Sequence, residues 1–514
     1  MIQPGVFSWI ISMEETSTFG ALNYSIFFIY LAAIFGIGLL LAGKQKTTED
    51  YFLAGRKMPW FIVAMSMFAS LTSATSYMGI PGTAYKENIS LIIVGIMSVI
   101  GAPVMIFLFY PFYRRLNVTT SYEYINRRYG RNARFATSGL FILARLGWLG
   151  VVIYSPALAL SVVTGINLYF AIFIMGVLAT SYTVLGGLSA VLWTDALQFI
   201  ILVGGAIWVA ITLMMNVPDS LSGIMTIAKE SGHLDIFNFD LNLYEMSALA
   251  VGLSYFLQVL QDYGTDQVTV QRLMATKTFG GMAKATLVNS LNDLFIVSLL
   301  LFLGIGMYAY YQVNPEQIPI TIEGDKVLPF YIINNLPNGV SGLLITAIFA
   351  AAMSSMDSGI NSLSTVIVND FIKPLRRKTV PEHHDVKLAR TLTFILGAFA
   401  IGVACFVSTI EQILKAASGF LGLFAAPILV LFILGILTRR ANFKGWLVGT
   451  VVAVGATLWV QKDTEVHFIY YFPFCFIISF ILGYLMSVII RSPLAPMEIT
   501  IWGRSELKQE GEQA

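Results

Sequence analysis

The chain has 514 residues, 57% of them hydrophobic and only 12% charged, about half the charge of an ordinary soluble domain, which runs near 25%. That composition excludes a water-soluble globular fold. A formal net charge of +2 gives no footing for a nucleic-acid partner, and no stretch between the apolar runs is long enough for a soluble enzyme domain.

A bilayer span needs about 20 apolar residues. Thirteen segments qualify, at 22–42, 60–81, 91–112, 135–164, 167–187, 191–215, 245–262, 283–311, 339–367, 387–408, 413–437, 444–461 and 468–490. They divide the chain into a segment 1–21, a transmembrane domain 22–490 and a tail 491–514. Residues 1–21 carry Glu14 and Glu15 without a long apolar run, which is not the pattern of a cleaved signal peptide. Loops 43–59, 110–134, 263–284, 370–390 and 438–444 and the tail hold 25 of the 31 Lys and Arg residues; the alternate loops hold four. The positive-inside rule then predicts the N-terminus outside and the C-terminus in the cytoplasm, as an odd span count requires.

Several spans carry polar groups that hydrocarbon does not tolerate unpaired. In 60–81, Ser66, Ser70, Thr72, Ser73, Thr75 and Ser76 crowd the middle and Gly79 and Pro81 follow. This is either close helix packing or an interrupted helix whose freed carbonyls bind an ion. Arg145 lies about ten residues into its span; it either snorkels to the inner surface, the reading preferred here, or forks onto a substrate carboxylate. Asp195 opens its span and either caps a helix or helps to hold a cation. Span 245–262 ends in Gln258, Gln261, Asp262, Tyr263 and Asp266, which is a solvated helix end or a second interrupted helix. Asp293 is an intramembrane acid with an internal partner, and Lys415 an interfacial charge. Cys405 and Cys475 sit in apolar spans as packing residues.

The most informative span is 339–367. Its centre holds Ser354, Ser355, Asp357, Ser358, Asn361 and Ser362, and helical spacing puts Ala351, Ser354, Ser355, Ser358 and Ser362 on one side. Such a helix must face protein, water or an ion. A row of small oxygen-bearing side chains suits a dehydrated hard cation, and we read it as half of a sodium site. No phosphate loop, Cys/His metal pattern or nucleophile motif occurs in a plausible context. An ion gradient, not ATP, is therefore the expected energy source, and the chain is expected to be no enzyme.

The stretches GVVIYSPALALSVVTGIN (150–167), GGLSAVLWTDALQ (186–198), DQVTVQR (266–272) and AAMSSMDSGINS (351–362) resemble the sodium:solute symporter family, which includes sodium–glucose, sialic acid, monocarboxylate, multivitamin and iodide cotransporters. The resemblance runs over roughly 22–440. It implies an all-α LeuT-type fold: a first helix at 22–42, two inverted five-helix repeats over about 60–437 and two extra helices at 444–490. It implies a main sodium site of the carbonyls of Ala69, Thr72 and Ala351 and the hydroxyls of Ser354 and Ser355. Some relatives hold a second sodium between an acid and two serines; here the matching set is Asp195, Ser354, Asp357 and Ser358, with Asp357 replacing a serine. Ser73 and Ser76 match hydroxyls that hold a carboxylate together with an arginine in sialic acid carriers. Trp148 stands at that arginine's position, and Arg145, three residues earlier, lies on about the same helix face. Ser418 stands where sugar carriers have a glutamine, and Asp262 and Tyr263 at their aromatic inner gate.

The expectation is a sodium-coupled symporter for a small organic solute, leaning to an organic anion, with its cavity near Ser73, Ser76, Trp148, Gln258 and Tyr263. A sugar or polyol symporter is the alternative within transport. A solute sensor without net flux and a channel are the rivals outside it. Sodium ion, the solute and membrane lipid are the expected partners, with no obligatory protein partner. The short loops and tail suggest a bacterial inner membrane.

Overall fold

In hydrocarbon each backbone N–H and C=O has to find its partner within the protein, so long apolar runs become helices. The computed structural model describes residues 20–503 apart from 165, 237–242, 245–246, 319–321, 323, 377–379 and 408–412. Over these residues it is helical throughout, with a single isolated bridge between Met58 and Thr276. The main elements are α1 (Ala21–Leu41), α2 (Trp60–Leu71), α3 (Ala74–Lys86), α4 (Ile92–Leu108), α5 (Arg131–Thr164), α6 (Leu168–Asn216) and α7 (Ala248–Gly264). They continue with α8 (Gln267–Met274), α9 (Phe279–Val313), α10 (Val340–Val366), α11 (Glu382–Val407), α12 (Ile413–Leu437), α13 (Phe443–Asp463) and α14 (Tyr471–Ile489).

Nine described helices are long and apolar enough to cross a bilayer, or ten with the bent pair α2–α3. The sequence segments 167–187 and 191–215 correspond to the two halves of the 49-residue α6, which the non-helical Gly187 (φ 57°, ψ −153°) divides into two helices. Segment 245–262 forms the 17-residue α7. The described apolar part of segment 413–437 is Gly422–Leu437. The chain is thus a multi-pass membrane protein by its helices. Helix α5 runs through Pro156 as one element.

One helix sits at the centre. The most apolar window of Val340–Leu375 is 94% buried inside the protein, against 22% for α1. Polar side chains on α10 therefore face other helices and not lipid. Around it pack α6, α5, α1, α2 and α11.

Two helices are broken rather than merely kinked. Helices α2 and α3 diverge by 66°; Thr72 leaves helical geometry at φ −83°, ψ 93°, and Ser73 caps α3 by accepting from Ser76 N–H. Helix α7 ends at Gly264 and α8 restarts at Gln267, capped by Asp266, which accepts from Val268 N–H at 2.8 Å. Carbonyls freed at the end of α7 are satisfied from neighbouring segments: Tyr110 donates to Tyr263 C=O at 3.3 Å, Tyr113 to Gly264 C=O, and Ser121 to Thr265 C=O at 3.0 Å. The break is built in, since helix-end carbonyls buried without partners are costly.

Gly187 is required where it stands. Its φ of 57° favours glycine, and an added Cβ would lie 2.6 Å from the Tyr51 carbonyl oxygen. Gly187→Ala is expected to destabilise the protein by about 1–3 kcal/mol, read as a fall of several degrees in the thermal midpoint of the detergent-purified protein. An unchanged midpoint would show that the bend relaxes freely.

Candidate ion and substrate site

The α2–α3 break faces the hydroxyl row of α10. Ser354 Oγ donates to the Ala69 carbonyl at 2.5 Å, and Ser355 Oγ to the Ser70 carbonyl at 3.0 Å. Ser354 Oγ also lies 3.1 Å from the Ala351 carbonyl. Thr72 is buried and its N–H bonds the Phe68 carbonyl, so it ends α2 with its own carbonyl turned out of helical register. The hydroxyls of Ser354 and Ser355 thus meet the carbonyls of Ala69, Ser70 and Ala351 where two helices cross, with Thr72 at the break itself. Five neutral oxygens, three of them carbonyls, are the donor set of a hard cation. The bare hydroxyl protons bridge these oxygens directly.

A second polar cluster lies beside it. Asp195 is fully buried. Its Oδ2 accepts from Ser66 Oγ at 2.5 Å, from Ser70 Oγ at 3.2 Å and from Arg272 Nη2 at 3.0 Å. The guanidinium of Arg272, itself 1% exposed, also reaches Ser66 Oγ at 2.8 Å, the Val268 carbonyl at 2.9 Å and Ser358 Oγ. Ser358 Oγ meets Ser70 Oγ at 3.0 Å and the Ser354 carbonyl at 2.5 Å. Asp357 accepts from Tyr182 OH at 2.5 Å and lies 3.0 Å from Ser358 Oγ. Asp195 is therefore not a helix cap: its partners come from α2 and α8, and it sits eight residues beyond the bend of α6. Its Oδ1 is buried without a hydrogen-bond partner among the described residues, a lone oxygen suited to a cation. Sequence reasoning missed Arg272. The signal was present, because a basic residue inside a stretch that packs against intramembrane acids must pair with one of them.

The third grouping is a narrow pocket. Phe141, Trp148, Ala425 and Ile428 form apolar walls, and Arg145, Gln261 and Asp266 supply the polar groups. Arg145 pairs with Asp266. Its guanidinium carbon lies 4.8 Å from the Trp148 ring centroid and 5.7 Å from that of Phe141, within the range of cation–π attraction. The preferred expectation of a snorkelling Arg145 is overturned: an acid and two rings hold the side chain, 12% exposed, inside the protein.

The remaining residues divide. Ser73 and Ser76 lie at the start of α3, their hydroxyls 3.3 Å apart. Tyr263 is turned away from the pocket: its OH bonds Ser98 Oγ at 2.6 Å and receives Asn289 Nδ2 at 2.8 Å, so it ties α7 to α4 and α9. Gln258 bonds Ser254 on its own helix at 3.0 Å. Neither these two nor the half-buried Asp262 is among the described residues that line the pocket, where Gln261 and Asp266 stand instead. Ser418 falls in α12 where side chains lie outside the described residues, as does Lys415.

The model of the sodium:solute symporter family matches residues 51–453. The chain belongs to the sodium:solute symporter family. It is 32% identical to the sodium/sialic acid symporter NanT of Aliivibrio fischeri, over 94% of this chain and 96% of that protein. It is 32% identical to the mouse sodium-coupled monocarboxylate transporter 1, over 88% of this chain and 75% of that protein. Among solved structures, it superposes with a TM-score of 0.88 and 28% identity on a sodium-coupled sialic acid symporter in a substrate-bound outward-open state, covering 93% of this chain and 99% of that one. Family members are transporters, not enzymes.

Arg272→Gln removes the guanidinium from a buried acid and is expected to cost about 3–5 kcal/mol of stability. Adding Asp195→Asn to the same chain should restore most of the loss. Thermal midpoints of the two single variants and the double variant test this; additive losses would show that the two side chains do not act as a pair.

Proposed function

We propose that the chain is a sodium-coupled secondary active symporter that imports a small organic anion, of the sialic acid or monocarboxylate type, by alternating access. The observation that carries this reading is the meeting of the α2–α3 break with Ser354 and Ser355 of α10 in a chain of this family. Sodium binds to the carbonyls of Ala69, Thr72 and Ala351 and the hydroxyls of Ser354 and Ser355. To admit it, both serine hydroxyls rotate their protons away from the Ala69 and Ser70 carbonyls. Sodium then bridges the break to the central helix and fixes the start of α3, where Ser73 and Ser76 stand. The pocket around Arg145 and Trp148 receives the solute. Ion and solute favour the same arrangement, so each raises the affinity of the other by the same factor.

A second cation lies between Asp195, Ser354, Asp357 and Ser358, and it shares Asp195 and Ser358 with Arg272. Asp357 adds a negative charge to that set. Import of one sodium with a monoanion moves no net charge, whereas a second sodium gains about 2.3 kcal/mol per 100 mV of membrane potential.

The architecture we infer is LeuT-type with about thirteen spans in two inverted five-helix repeats, the N-terminus outside and the C-terminus in the cytoplasm. The two broken helices support it, since α2–α3 and α7–α8 are the second and seventh of the thirteen sequence segments. The loop charges support the orientation, and a bacterial inner membrane is the inferred location.

In proteoliposomes, an inward sodium gradient is expected to drive uptake of N-acetylneuraminic acid or a short monocarboxylate where a potassium gradient does not. Ser354→Ala/Ser355→Ala should raise the sodium concentration for half-activation by more than about tenfold, because each removed oxygen contacts an ion and such contacts are worth about 1.5–3 kcal/mol. Uptake indifferent to sodium, or an unchanged half-activation in the double variant, would remove the proposed ion site.

A further inference from the structure

The Arg145–Asp266 pair closes the pocket onto itself. An arginine held inside the protein without an anion is strongly unfavourable, so a carrier that uses one to receive a carboxylate needs something to hold it while no solute is bound. Here Asp266 fills that place. Its two oxygens are unequally committed: Oδ1 accepts from Val268 N–H at 2.8 Å at the start of α8, while Oδ2 takes Arg145 Nη2 and Gln261 Nε2, the latter at 3.3 Å. If Arg145 leaves, Asp266 keeps a backbone N–H, an amide donor and a favourable position at a helix N-terminus. Among the described residues Arg145 is ion-paired to Asp266 alone, with Asp262 near enough only to feel its charge. Its fixed surroundings are the Phe141 and Trp148 rings and Gly359 of α10, where an added Cβ would lie 3.6 Å from Arg145 Cδ.

Resting on the proposed symporter reading, we infer that Asp266 is an internal stand-in for the solute's carboxylate, and that an anionic solute binds by exchanging with Asp266 on Arg145. The exchange trades one carboxylate for another on Arg145, and the displaced Asp266 keeps its hydrogen bonds from Val268 N–H and Gln261. A neutral solute cannot make this trade, because it would strand Arg145. The pair thus selects for carboxylates and acts as the specificity determinant of the pocket. Asp266 also begins α8, so its release loosens the tie between α5 and the α7–α8 break when solute is present.

Asp266→Asn separates the roles, because asparagine caps a helix about as well as aspartate but carries no charge to compete for Arg145. Binding of N-acetylneuraminic acid and of its methyl ester to the detergent-purified full chain in saturating sodium is measured by calorimetry. Pyruvate and methyl pyruvate serve as a second acid–ester pair. For one pair the acid is expected to bind about tenfold more tightly to Asp266→Asn than to the parent, the gain when a competitor holding about 90% of the sites is removed, with the ester unchanged. Arg145→Gln should weaken the acid by about 10- to 100-fold and bring acid and ester to similar affinity. Equal changes for acid and ester in Asp266→Asn, or an unchanged acid affinity in a variant with parental thermal midpoint, would overturn the exchange. If no acid binds the parent in a sodium-dependent way, it is the organic-anion reading that fails. Tighter acid binding in Asp266→Asn with Arg145→Gln unaffected would move the receptor to another residue and sink the inference.

Discussion

The structure turns on a helix that stops in the middle of the protein. At Thr72 the chain leaves helical geometry, and α3 departs at 66° to α2. Carbonyls that a continuous helix would consume internally are thereby freed in a region without bulk water, where unsatisfied groups are expensive. They have to be met, and the partner is the row of serines on α10. That demand explains why α10 is the most buried of the long helices among the described residues although it is one of the least apolar. It also explains why the bonds across the junction are made by small hydroxyls. A hydroxyl can donate to a carbonyl or, by rotating, turn a lone pair to a cation beside that carbonyl. On the proposed reading the same contact has two arrangements, one closed by protons and one by an ion, which is what a site that loads and unloads requires.

The second break, α7–α8, gives this junction a connection to the pocket. Asp266 and Arg272 stand six residues apart on one short segment. Asp266 faces Arg145 in the pocket, and Arg272 faces Asp195, Ser66 and Ser358 in the ion cluster. Both pairs are buried and of opposite polarity: the segment offers an acid to one neighbour and a base to the other. A displacement of α8 that weakens one pair bears on the other through a rigid turn and a half of helix. Energetic coupling between separate sites needs a shared element with two arrangements, and α8 is the element both groups hold.

Much of this was legible in the sequence, for a physical reason. In hydrocarbon a polar side chain is a strong constraint, so the serines of 351–362 and the hydroxyl cluster of 66–76 announced that they face one another or an ion. Those residues do meet across the break. Asp195 was ambiguous between cap and ligand because both uses suit an acid near the start of a predicted span. The structure resolves it by placing the break at non-helical Gly187, eight residues before Asp195, so no free N-terminus lies within reach of Asp195. The pocket was less legible. Arg145 comes from α5, Gln261 from α7 and Asp266 from the break before α8, and a sequence pattern does not say which of several adjacent polar residues points inward. A rotation of about 100° per residue separates Gln261 from Asp262, and the aromatic Tyr263 is turned to Ser98 and Asn289. Register around a broken helix depends on where the break falls, and that depends on tertiary partners such as Tyr110, Tyr113 and Ser121 that lie far away in the chain.

Charge economy in the interior favours a solute that carries charge. Arg145 and Arg272 each have an acid of the protein as partner, so a solute that displaces Asp266 from Arg145 has to bring a negative charge of its own. Introducing a neutral polyol would require hydrogen bonds to surfaces that are mostly ring and methyl: Phe141, Trp148, Ala425 and Ile428. Against those walls a sugar's hydroxyls lose water without replacement, at roughly 1–3 kcal/mol each in protein sites. A monocarboxylate on a small apolar body suffers no such loss, whereas sialate, which carries hydroxyls of its own, suffers it and offsets it with its charged end. The charged end takes the fork of Arg145, and the body takes the rings. On the proposed reading, this charged contact with Arg145 is what places organic anions ahead of sugars.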